Sequence, residues 1–185
     1  MSIPSDTKIV HALNYLASHS SEKKLNKMKA IKLLWLADRY HLRKYARTIT
    51  NDCYYAMPFG PVPSRTKEIL DGKVPIAIVT NSLKNINQYY YGSAGEINYD
   101  VFSESDIEVL DLILKYYGEQ DQFSLSELSH KSPEWLRFED CLKRKASSYK
   151  MNMCDFFVNF EEVHNLFKDN EDDINLAKDL YIEMM

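Results

Sequence analysis

The sequence predicts a mainly helical α+β fold, a compact helical domain around one central helix with a small antiparallel sheet or hairpin beside it. Three observations predict it. Apolar residues recur at helical spacing in several segments, most densely between Leu25 and Ala46. β-prone residues fall in short runs, Cys53 to Met57, Ile76 to Thr80 and Gln88 to Val101, bordered or interrupted by Gly, Pro or Ser. With 45% hydrophobic and 27% charged residues, five glycines and six prolines in 185 residues, the chain can bury a core and has little room for linkers.

Taken in order, Ser5 can cap a helix from about Asp6 to His19 with Ile9, Leu13, Leu16 and Ala17 on one face. The central helix runs from about Leu25 to Ala46, and its apolar arc fills roughly half the circumference. Lys29, Lys32, Arg39, Arg43 and Arg47 share the opposite side. Cys53 to Met57 reads as a strand, and Pro58, Gly60, Pro61 and Pro63 as a rigid turn, because such residues suit neither a helix interior nor a central strand. Pro63 then opens a short helix to about Asp71, stopped by Gly72. A strand at Ile76 to Thr80 and a hairpin of Gln88–Tyr91 with Glu96–Val101 across Gly92–Gly95 complete the β content. Ser103 caps a strongly periodic helix to Tyr117, ended by Gly118. A capping box at Ser124–Glu127 and the Ser132-Pro133 pair open two further helices, the second reaching about Lys145. Asn159 caps a helix to Lys168, and Glu171 to Met185 forms a terminal one with Ile174, Leu176, Leu180 and Ile182 apolar. We divide the chain into a domain over residues 1–150 and a helical extension over 151–185, packed on or continuing it.

The N-terminal stretch has none of the marks of a secretory signal, and no window approaches about 18 apolar residues, so a cytoplasmic location away from membranes is expected. Cys53, Cys141 and Cys154 fit neither a disulfide framework nor a CxxC motif and read as reduced, half-buried thiols. Charge is unevenly placed. From Glu22 to Arg47 nine basic residues face two acidic ones, and from Asp155 onward nine acidic residues face two lysines. Such asymmetry arises from nucleic-acid binding, from steering of a protein partner, or from solvated helix faces.

Nucleotide-binding, zinc-protease, nucleophile-elbow and EF-hand motifs are all missing, so neither an enzyme nor a cofactor is expected. His11 and His19 stand two turns, about 12 Å, apart, too far to share a metal without other ligands. Asp38 falls inside the apolar arc and must be paired, with His41, Tyr45 or amides of the Thr48–Met57 loop. A hydrolase built from Asp38, His41 and Cys53 is the catalytic alternative, without a loop to stabilise an oxyanion. A helix-turn-helix over Leu125–Lys145, regulating its own operon, is the nucleic-acid alternative, although Pro133-Glu134-Trp135, Glu139 and Asp140 offer few base-reading donors. Tyrosines cluster at 54–55, 89–91 and 116–117, which suits strands and interfaces alike.

Lys32 to Ser64, KLLWLADRYHLRKYARTITNDCYYAMPFGPVPS, resembles the hallmark of the Panacea family, also called SocA-like or GepA-like: a KLLY-x-A-(D/E)-x-x-H helix, an extended I-T-x-(D/E) segment and GPV. Leu125-Ser-Glu-Leu-Ser-His130 with Pro133-Glu134-Trp135 resembles its second block. Ala46 departs from the usual glycine, Pro58-Phe59 from a polar pair, and Asp155 to Met185 aligns with nothing in the family pattern. The resemblance implies an antitoxin, without catalysis, that binds a protein toxin encoded by an adjacent gene, or an adaptor that hands it to a cytosolic protease. Asp38, His41, Gly60, Pro61 and Pro63 then hold the architecture. Amphipathicity adds Lys32, Arg39, Tyr40, Arg43, Arg47 and Phe59 as the toxin-binding surface, since Arg and aromatic residues anchor hot spots.

Overall fold

Helix α1 (Asp6–Ser18) starts where Ser5 accepts the N–H of Lys8; the computed structural model describes residues 5–74 and 77–184. Strand β1 (Lys24–Asn26) precedes helix α2 (Lys27–Tyr45), so the central helix begins two residues later than its apolar pattern predicts. The Asn26 side chain sets that start by accepting the N–H groups of Met28 and Lys29. Ala46, at φ 55°, ends the helix in the left-handed conformation.

Strands β2 (Tyr54–Met57) and β3 (Gly60–Pro63) form a hairpin, with Tyr54 opposite Pro63 and Met57 opposite Gly60. This corrects the reading of 58–63 as a turn alone. β3 lies at the sheet edge, where the absent N–H groups of Pro61 and Pro63 break no ladder. Helix α3 (Ser64–Leu70) follows, then α4 (Ala77–Ser82). The predicted strand at Ile76–Thr80 is therefore corrected to helix from Ala77 onward, Ile76 lying outside the described residues.

Strands β4 (Leu83–Asn85) and β5 (Tyr90–Ser93) make the second sheet, in the order β1-β5-β4. The predicted partner of β5, Glu96 to Val101, is not a strand and ends in a 3-10 turn at Tyr99–Val101. The hairpin turn is instead at Asn87, whose side chain accepts the N–H groups of Tyr89 and Tyr90. Gly95 serves close packing, since a Cβ there would stand 2.2 Å from the Asn81 carbonyl oxygen.

Helix α5 (Glu104–Tyr117) carries a capping box between Ser103 and Asp106. Helix α6 (Gln122–Ser129) is capped by Asp121 and not by Ser124, because the Asp121 carboxylate takes the Phe123 and Ser124 N–H groups one turn earlier. The single helix predicted to Lys145 is two, α7 (Pro133–Leu136) and α8 (Glu139–Arg144), broken where Phe138 leaves helical geometry. Strand β6 (Tyr149–Lys150) completes the first sheet in the order β3-β2-β6. After a 3-10 segment at Met153–Phe157, the predicted helix at Asn159–Lys168 is absent. The Glu162 carboxylate accepts the His164 and Leu166 N–H groups and curls this stretch into a loop. Helix α9 (Glu171–Glu183) ends the described chain.

One apolar core runs from Ile9 through Leu34, Trp35 and Ile113 to Phe156, Phe167 and Ala177. Tyr54, Tyr91 and Tyr117 belong to it, their hydroxyls donating to Asp38, the Leu13 carbonyl and Glu162. Cys141 is exposed, and Cys53 and Cys154 are half-buried.

Candidate functional site

The expected contact surface along α2 is mostly interior. Lys32, Arg39 and Arg43 are at most 5% exposed, which corrects the reading that they face solvent. For the two arginines the reason lies far along the chain: residues 156–169 fold back across this side of the helix. Arg43 donates to the carbonyls of Phe156 and Phe157 and to the carboxylate of Asp169, at 3.1, 2.6 and 2.7 Å. The Arg39 guanidinium rests against the rings of Phe160 and Phe167, 4.7 and 4.8 Å from their centroids. Its Nε donates to Glu134 Oε1 at 3.0 Å, and Trp35 Nε1 donates to the same oxygen at 3.1 Å. Burial lowers both arginines, Arg43 to about 10 with the neighbouring Arg39 charge as a second cause. Glu134, Asp169, Phe160 and Phe167 are the site residues that sequence reasoning missed; the one local sign was a carboxylate beside Trp135 in an apolar helix start.

Asp38 is fully buried, and the loop after α2 closes on it. Its carboxylate accepts from the amides of Ile49 and Thr50 at 2.8 and 3.1 Å, from the Tyr54 hydroxyl at 2.8 Å, and from the Thr50 hydroxyl. Burial pushes this carboxyl up, against hydrogen bonds that pull it down. Of the partners the sequence left open, the loop amides are the ones it takes. His41 turns elsewhere, its Nδ1 donating to the Arg47 carbonyl at 2.8 Å and its Nε2 lying 3.1 Å from Asp106 Oδ1. Asp106 also receives Lys8 and, at 3.0 Å, Arg47. Burial pushes its carboxyl up, but the contacts from His41, Lys8 and the Ser103 amide outweigh it and hold it well below the usual carboxylate range. Asp38 and His41 thus serve different loops and form no acid-base pair.

Lys32 lies beneath the hairpin, and its ammonium donates to the Pro61 carbonyl at 2.9 Å. Gly60 makes this approach possible: at φ 99° its backbone suits glycine, and a Cβ would stand 2.0 Å from Ser129 Oγ and 2.6 Å from Lys32 Nζ. Burial pushes the Lys32 amine down to about 7 from 10.5. Because the folded value is the lower one, the unfolded chain holds more protons between those limits, and this group makes stability rise with pH from about 7 to about 10.5. One proton limits the slope to about 1.4 kcal/mol per pH unit. Lys32→Met is expected to flatten that rise, read as urea midpoints across the interval; an unchanged slope would place the wild-type amine in water.

At the surface remain Phe59, 66% exposed at the hairpin tip, the half-buried Tyr40, and Arg47, which bridges to Ser103 and Asp106. Ser126 Oγ donates to the Phe59 carbonyl at 3.0 Å and holds the tip against α6. The predicted recognition helix is the two short helices α7 and α8, and at its N-terminal end Glu134 and Trp135 are buried, Trp135 Nε1 donating to the Met57 carbonyl at 2.8 Å. The N-terminal turn, where a recognition helix reads base edges, thus presents neither of these side chains to a partner. Among the described residues, no group of His, Cys, Asp and Glu side chains could hold a metal ion, and no helix is long and apolar enough to cross a membrane.

Compared with known proteins, residues 31–136 match the model of the family described as antitoxin SocA-like, Panacea domain. No curated protein and no solved structure matches the chain.

Proposed function

We propose that this chain, which belongs to the SocA-like antitoxin family of Panacea domains, neutralises a protein toxin encoded by an adjacent gene by binding it directly. The family match over more than half the chain carries this reading. The chemistry around α2 supports it: Asp38, Arg39, His41 and Arg43 are engaged by the fold itself, so the central helix is a scaffold and the work falls to exposed surface.

Expressing the neighbouring gene alone should arrest growth, and adding this chain should restore it, with the two proteins co-purifying in a defined ratio. Restored growth with a fall in toxin abundance would move the mechanism to delivery to a protease. No rescue and no complex would overturn the reading. Phe59 is the expected contact residue with most of its ring in solvent, and Phe59→Ala is expected to weaken the complex about tenfold or more. Because the ring is exposed, the variant's thermal midpoint should stay near wild type. Unchanged affinity in titration calorimetry would remove the hairpin tip from the contact.

A further inference from the structure

The terminal helix α9 packs by one narrow edge and leaves an apolar stripe uncovered. Of the residues the sequence marks as apolar here, Ile174 faces the core with Ala177, but Leu176 and Leu180 are 62% and 46% exposed, as is Met184 at 64%. Spacings of four residues place these three on one face of the helix. Met184 also lines, with Tyr181, a cleft of about 410 Å³ whose opposite walls include Cys53, Tyr54, Met151 and Met153. Stripe and cleft together offer an exposed apolar surface with a recess at one end, the usual form of an unoccupied contact site.

Charge decides what would occupy it. The helix carries Glu171, Asp172, Asp173, Asp179 and Glu183 against Lys178, a net −4 that equals the net charge of the whole chain, so the remainder balances to zero. The other acidic residues of the C-terminal segment include Asp169 and Asp155, which pair with Arg43 and Arg137. The five carboxylates of α9 are exposed, and none forms an ion pair among the described residues. Glu171, Asp172 and Asp173 stand in the first turn, where the helix dipole favours them. The dipole gives no such account of Asp179 and Glu183, which lie toward the other end.

We infer that the outer face of α9, with the adjoining cleft, is a docking surface for a Lys/Arg-rich segment of the toxin that carries an apolar anchor side chain. This inference rests on the antitoxin reading. Its acidic rim steers a basic partner and repels a second copy of the same face, and the apolar stripe supplies the contact once it arrives. Helix α9, with its stripe and its carboxylates, lies outside the stretch that matches the family model, while the Cys53 and Tyr54 wall of the cleft lies inside it, so the helix is this chain's own share of the surface and suits specificity for one partner.

The test measures binding of the purified product of the adjacent gene to the full chain and two variants. Leu176→Asp/Leu180→Asp is expected to raise the dissociation constant about tenfold or more, chiefly through faster dissociation. Asp173→Lys/Asp179→Lys, which brings the helix to zero net charge, is expected to slow association about tenfold at low salt and to converge on wild type at high salt. Circular dichroism and thermal melting must show both variants folded; because the replaced side chains are exposed, each should match wild type. If wild type binds and both variants bind equally well, the docking surface is overturned and the antitoxin reading stands. If wild type does not bind, the antitoxin reading falls and this inference with it. A wild-type dimer that Leu176→Asp/Leu180→Asp converts to monomer assigns the stripe to self-association and overturns the inference.

Discussion

Glu134→Ala is expected to destabilise the fold by about 3–5 kcal/mol, because it leaves the Arg39 guanidinium buried without its counter-charge. Both side chains are fully buried and 3.0 Å apart, and the Trp35 indole N–H loses its acceptor in the same step. The lost stability should appear as a lower urea midpoint with an unchanged m-value. A second variant separates the ion pair from its surroundings. Arg39→Met/Glu134→Leu removes both charges, and since Arg39 Nη1 and Glu134 Oε2 find no hydrogen-bond partner, the pair is incompletely compensated and the double variant should recover most of the loss. A Glu134→Ala protein within about 1 kcal/mol of wild type would show that Arg39 reaches solvent instead.

Asp38→Ala is expected to cost a similar amount, on the order of 3–4 kcal/mol, by a different route. No charge is orphaned; instead two amides and two hydroxyls lose one shared acceptor inside the core. The loop between α2 and β2 should open first, so hydrogen exchange at the Ile49 and Thr50 amides should accelerate more than exchange in α5. Asp38→Asn should lose less, because its one oxygen still serves the amides and the two hydroxyls can turn to accept from its NH2 group. Uniform acceleration of exchange across the molecule would mean that Asp38 secures the whole core and not this loop.

Local signals and tertiary outcomes separate cleanly along the chain. Ser5 and Ser103 cap the helices they precede, because a cap joins residues three positions apart and needs nothing else. Asn159 resembles such a cap yet opens no helix. Its side chain accepts instead from Arg43, 116 residues away, and Glu162 takes the amides that a helix would have used. The prolines of β3 escape a local reading for the same reason: whether they break a ladder depends on which edge of the sheet they occupy, and that follows from β2 pairing with β6 across more than 90 residues. The buried partner of Asp38 was within reach of the sequence, since a carboxylate in an apolar arc followed by a polar loop has few places to turn.

By itself, then, the sequence determined the helical class, the central place of α2, the need of Asp38 for partners and the family to which the Lys32–Ser64 string belongs, all of which rest on periodicity or on neighbours in the chain. Only the tertiary structure decided what the charges do. A helical projection shows which residues share a side and is blind to what covers it, so a basic face and an acidic tail that read as two separate surfaces meet in the interior at Arg43 and Asp169. Arg39 and Arg43 are desolvated under residues 156–169, and such burial is tolerable only with the carbonyls, rings and carboxylates that those residues bring. Among the charges that the fold leaves unpaired are the exposed carboxylates of α9.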